Sequence, residues 1–132
     1  MSALELEWVK IRADRMVLGI RVRDPRLRYT TPAIARRALE LRPLLAEHAC
    51  VNDRGAMFRD AIARTSLPHL LEHLIIDLQA QRAKDPARVF TGLTSWTRRD
   101  AGLAQVEVSF ESDLGALAVL RDALSLLERI VG

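Results

Sequence analysis

Apolar residues in the first part of the chain recur at every second position. Met16, Leu18, Ile20 and Val22 alternate with Val17, Gly19, Arg21 and Arg23, giving one apolar and one wetter face. Residues 4–11 and 15–23 therefore predict a β-hairpin closed by Arg12-Ala13-Asp14. Residues 24–31 are a polar connection, and Thr31-Pro32 is a helix entry, a hydroxyl cap followed by proline in the first turn. The period then changes. Ile34, Ala38, Leu41, Leu44 and Leu45 share one side of a helix over 33–48 that Pro43 bends or splits. Cys50 to Gly55 reads as a turn, and Met57, Phe58, Ala61 and Ile62 open another helical pattern. Ser66 caps a helix over 67–82. Residues 88–97 and 103–111 return to strand. In the second of these, Val106, Val108 and Phe110 oppose Gln105, Glu107, Ser109 and Glu111. Ser112-Asp113 caps a last helix carrying Leu114, Leu117, Leu120, Leu124 and Leu127. The order ββ-ααα-ββ-α predicts a single α+β domain over 1–132. It has two layers, antiparallel β-strand pairs with helices packed on one face.

Composition narrows the classes. Hydrophobic residues make up 49% of the 132 and charged residues 28%, which suits a globular domain with its own core. No run of 18 apolar residues is present, so no membrane partner is expected. The first residues carry acid without a basic start, so no secretory signal is expected. Cys50 is the single cysteine and has no internal disulfide partner, which makes a reducing cytoplasm the expected compartment. The charge is +3, from 20 basic and 17 acidic residues, and all the basic ones except Lys10 and Lys84 are arginine. Arginine grips phosphate, but this small excess is interspersed with acids rather than clustered, so no nucleic-acid partner is expected.

The chemistry concentrates on the helix at 67–82, where the chain reads His69-Leu70-Leu71-Glu72-His73. On a helical wheel His73 falls about 40° to one side of His69, and Glu72 about 60° to the other. Leu67, Leu70, Leu71, Leu74, Ile75 and Leu78 lie around the opposite side, so the expected picture is an apolar stripe backed by a wet, chemically competent face. Histidines four apart stack on one helix face and can both reach one ion, and a glutamate beside them can take a proton from water. This is the inverted form of the zinc-peptidase helix motif. His69, in the first turn, sits where the positive helix end favours the neutral imidazole that a metal needs. His69 and His73 are the expected ligands of a divalent metal, zinc first, and Glu72 the expected catalytic base. A third ligand is still required. The candidates are His48 and Cys50 before the helix, and Glu107 and Glu111 on the wet face of the last strand. Each also has an ordinary reading: His48 as a helix C-cap contact, Cys50 as a small buried hydrophobe, and the two glutamates as solvated strand residues.

From Glu47 onward the chain resembles the N-terminal domain of cyanophycin synthetase. The matching run is Glu47-His48-Ala49-Cys50, Arg54-Gly55, Phe58, Thr65 and His69-Leu70-Leu71-Glu72-His73-Leu74 through Leu78-Gln79. Gly92-Leu93-Thr94, the strand Gln105 to Val108 and the final helix match more loosely. The chain departs from that family's pattern at Ala63, Pro68 and Ser109. The resemblance implies an α+β module that contacts a polymer with an aspartate backbone and arginine side groups. In some synthetases it implies metallopeptidase-like cleavage as well, with His69 and His73 as ligands and Glu72 as base. The ATP-grasp and ligase domains of a synthetase do not follow in this sequence, so a stand-alone module is expected.

Three functions are compatible with these observations. The first is a metal-dependent hydrolase of cyanophycin or a related peptide or isopeptide. The second is a non-catalytic module that binds such a polymer or a protein and keeps a relict site. The third is a structural subunit of a larger assembly, including a homo-oligomer.

Overall fold

The computed structural model describes residues 2–132. Strands β1 (Glu5–Ile11) and β2 (Arg15–Arg21) form the first hairpin, and β5 (Gly92–Trp96) and β6 (Leu103–Ser109) the second. The two hairpins join through antiparallel pairing of β2 with β6 into one four-stranded sheet, ordered β1-β2-β6-β5. Met16 faces Val108, Leu18 faces Val106 and Ile20 faces Ala104 across that seam. All six are buried and form the inner face of the sheet. The opposite face of β2 is drier than its alternation predicts. A bulge in β1 between Leu6 and Trp8 lays the Trp8 indole over Gly19, where a Cβ would collide with the ring.

Three helices accompany the sheet. Helix α1 (Pro32–Leu41) starts at Thr31, whose side chain accepts from the Ile34 amide. It ends at Arg42 because the residue before Pro43 is driven off the helical region. Pro43 thus splits the helical stretch over 33–48, as expected, into α1 and a separate 3-10 turn, Pro43–Glu47. Helix α2 (Leu67–Arg82) begins under Ser66, which accepts from the His69 amide, and matches the helix read from sequence. Helix α3 (Asp113–Val131) is capped by Ser112. Two expectations are corrected. The turn at 50–55 is the tip of a small hairpin, β3 (Ala49–Asn52) with β4 (Gly55–Met57). Asn52 shapes it by donating to the Cys50 and Met57 carbonyls and accepting from the Arg54 amide. The helical pattern from Met57 closes as a single 3-10 turn, Phe58–Asp60.

Helices α2 and α3 lie side by side on the inner sheet face, so the domain is α+β with helices on one face. The segment from Pro43 to Asp60 then wraps the far side of α2. As a result eleven residues of α2 are buried, among them Glu72, His73 and Asp77. The wet face expected for this helix does not exist below His69. Among the described residues, no helix is long and apolar enough to cross a membrane.

Candidate functional site

Cys50 comes from β3, and His69 and His73 from successive turns of α2. One donor atom from each lies within 4.8 Å of the others. Cys50 Sγ is 3.6 Å from His69 Nε2. Tetrahedral zinc with sulfur and imidazole ligands separates those two atoms by about 3.6 Å, so the donor set fits such an ion. The other ring nitrogens are already engaged. His69 Nδ1 lies 2.8 Å from Thr65 Oγ1, and His73 Nδ1 lies 3.0 Å from His48 Nδ1. His48 Nε2 in turn faces Asp77 Oδ1 at 3.4 Å, and the Arg42 guanidinium donates to the other Asp77 oxygen. An ionised carboxylate only accepts, so it places the proton of a neutral His48 on Nε2. His48 Nδ1 then accepts from His73, and the Nε2 lone pair of His73 is left free.

Glu72 lies against the same ring. Its Oε2 is 3.6 Å from His73 Nε2, and its Oε1 accepts from Thr94 Oγ1 at 2.7 Å. Strand β5 crosses so closely that a Cβ on Gly92 would sit 2.7 Å from Glu72 Cγ. Phe58 stacks on the His73 ring with centroids 3.9 Å apart and closes the back of the site.

Burial sets the protonation states. It raises Glu72 to about 7, with the Thr94 hydrogen bond pulling the other way. It lowers His73 to about 3, helped by the neighbouring His69 and His48, and lowers His69 as well. The Cys50 thiol is 9% exposed and is pushed up by desolvation. At Asp77 burial opposes ionisation, but the hydrogen bonds from His48 and Arg42 outweigh it and hold the carboxyl below its usual range. The site thus presents two neutral imidazoles, a thiol that needs a cation to ionise, and a carboxyl poised near neutrality.

The structure brings Cys50, His69, His73 and Glu72 together and places His48 immediately behind His73. Glu107 and Glu111 are elsewhere. Val106 and Val108 face the core, so alternation turns Glu107 to the outer face of the sheet, 3.6 Å from Arg15. Glu111 lies beyond the end of β6 and accepts from the Lys84 amide. Four supporting residues, Thr65, Asp77, Thr94 and Arg42, were not singled out from the sequence as site residues. Asp77 was nonetheless readable as the next step of the His69, His73 series along one helix face.

The cluster forms the floor of an open groove of about 760 Å³. One bank is the segment from Val89 to Trp96; the other is Ala49 to Val51 with Arg64 to Ser66. The fold and site thus define an α+β domain with a histidine–cysteine cluster under a cleft. Residues 21–132 match the family model of the cyanophycin synthase-like N-terminal domain, and the chain belongs to that family. The match begins 26 residues before Glu47, where the resemblance read from individual residues becomes specific. No curated protein matches the chain.

Proposed function

We propose that this domain is a metal-dependent hydrolase of peptide or isopeptide bonds. One observation carries the reading: the donor atoms of Cys50, His69 and His73 converge within 4.8 Å, with a Glu72 oxygen 3.6 Å from His73 Nε2, on the floor of an open groove. Cys50, His69 and His73 would hold a divalent ion, zinc first by the softness of the donors. Such an ion supplies Lewis acidity towards a carbonyl and acidifies water. Glu72 accepts the proton of the attacking water and returns it to the leaving amine. Thr94 and Gly92 hold the carboxylate beside His73, while Phe58 covers one face of the His73 ring.

Metal analysis of the purified protein, followed by chain-length analysis of cyanophycin and of Asp-Arg oligomers, tests the proposal. Zinc should be present, or taken up on titration, and Cys50→Ser, His69→Ala and His73→Ala should each weaken its binding. Wild type should cleave a peptide or isopeptide substrate and Glu72→Gln should not. Zinc uptake without cleavage by either form would support the binding-module reading instead. A protein that takes up no metal overturns both forms of the site.

A further inference from the structure

The sheet has two outer strands, and they are protected unequally. The free edge of β1 belongs to a strand carrying Glu5, Glu7 and Lys10 and a bulge, features that discourage pairing with another chain. Strand β5, Gly-Leu-Thr-Ser-Trp, carries neither charge nor proline. On its paired side the Ser109 amide donates to the Thr91 carbonyl at 2.9 Å, and the Thr97 amide donates to the Leu103 carbonyl at 2.8 Å. Bonding alternates along an antiparallel ladder, so the odd-numbered residues face β6. The backbone N–H and C=O groups of Gly92, Thr94 and Trp96 therefore point away from the sheet. No turn, loop or side chain among the described residues bonds to these groups. All three residues line the groove that holds His69, His73 and Cys50.

The groove also carries a chemical preference. Tyr29, Val51 and Val89 on its banks are 54%, 105% and 80% exposed. Arg64 is its exposed cation and makes no ion pair among the described residues. Among the described residues the only acid lining it is Glu72, which is buried at the floor and bonded to Thr94. No acidic side chain among the described residues of the banks is placed to pair with a row of guanidinium groups.

We propose that β5 takes up an extended peptide as a fifth strand, laid across the cluster. The preferred peptide carries apolar side chains with an acidic one for Arg64, and is not arginine-rich. Main-chain hydrogen bonds to Gly92, Thr94 and Trp96 supply register, and the banks and Arg64 supply selectivity. The proposal deepens the peptide-hydrolase reading and rests on it for treating the groove as the substrate site.

The test uses the full chain as Glu72→Gln, to prevent turnover, and two fluorescent octapeptides. Valine alternates with glutamate in one and with arginine in the other. The glutamate peptide should bind about tenfold more tightly or better, and adding Arg64→Glu should abolish or reverse that preference. N-methylation of the valine amides and of the glutamate amides, in separate peptides, should act unequally. One set loses about tenfold in affinity, while the other stays within about twofold, because alternate amides face β5. Equal loss from both sets, equal or tighter binding of the arginine peptide, or no binding of either overturns the proposal. Unequal loss in a protein that takes up no zinc would leave strand addition standing and remove the hydrolase reading. Zinc-dependent cleavage of Asp-Arg oligomers with equal loss from both sets would do the reverse.

Discussion

Asp77 touches none of the proposed ligands, yet it decides which nitrogen of His73 is free. Its carboxylate orients His48, and His48 accepts from His73 Nδ1. Asp77→Asn removes the charge that fixes this arrangement. Zinc affinity, read by competition with a chromophoric chelator, should fall about 10- to 100-fold. Arg42→Gln, which spares the Asp77–His48 contact, should fall less. Equal losses would mean that Asp77 acts through packing rather than through the tautomer. Glu72 shows the opposite economy. Its carboxylate is buried at a cost, and the isosteric Glu72→Gln keeps the oxygen that Thr94 bonds. In metal-free protein that substitution should raise the melting temperature at pH 8, and in zinc-loaded protein it should abolish cleavage. A carboxyl shifted from 4.5 to about 7 disfavours folding at that pH by on the order of 3 kcal/mol.

At the scale of elements, the contact between β5 and α2 positions the base. Gly92→Ala places a Cβ 2.8 Å from the Glu72 carboxylate, on a strand already held by β6. The Glu72 side chain must then leave its present position beside His73 and Thr94. Cleavage should fall by about tenfold or more, with zinc binding little changed, because the ligands sit on α2 and β3. Unaltered cleavage would show that the close approach of β5 is unimportant. Leu74 tests the other side of the same helix. It is fully buried, and Leu74→Ala should cost about 2–5 kcal/mol in chemical denaturation. A loss below about 1 kcal/mol would mean that the layer under α2 relaxes around the cavity.

For the whole molecule, the buried acid and the buried base predict a characteristic pH profile in metal-free protein. His73 titrates near 3 when folded and near 6.5 when unfolded, so the unfolded chain binds the extra proton in that window and stability falls as pH drops through it. Glu72 titrates near 7 when folded and near 4.5 when unfolded, so stability falls as pH rises between those values. The two slopes oppose each other between about pH 4.5 and 6.5. Thermal melts should show a plateau there and a steeper loss below 4.5. In Glu72→Gln the plateau should become a continuous rise with pH up to about 6.5. Identical profiles for the two proteins would remove Glu72 as a shifted, buried group.

Local signals in the chain determined much of this domain. Ser66 and the leucine spacing define α2. Alternation along Met16 to Val22 and Val106 to Phe110 defines the inner sheet face, and Pro43 marks the end of α1. Each depends on neighbours within a turn or a strand, which is why it is legible without tertiary information. The i, i+4 spacing of His69 and His73 is legible for the same reason. The joining of the two hairpins into one sheet was not, since it depends on β2 meeting β6 more than 80 residues later. Nor was the burial of Glu72 and His73. A helical wheel reports the polarity of a face but not what covers it, and the cover is the wrapping segment that holds His48, Cys50 and Phe58. That burial displaces the protonation states and brings Cys50 to His69. Tertiary packing also turned Glu107 outward and left β5 as a bare edge over the groove. Short-range periodicity wrote the parts, and contacts between segments distant in the chain decided which of their polar groups meet.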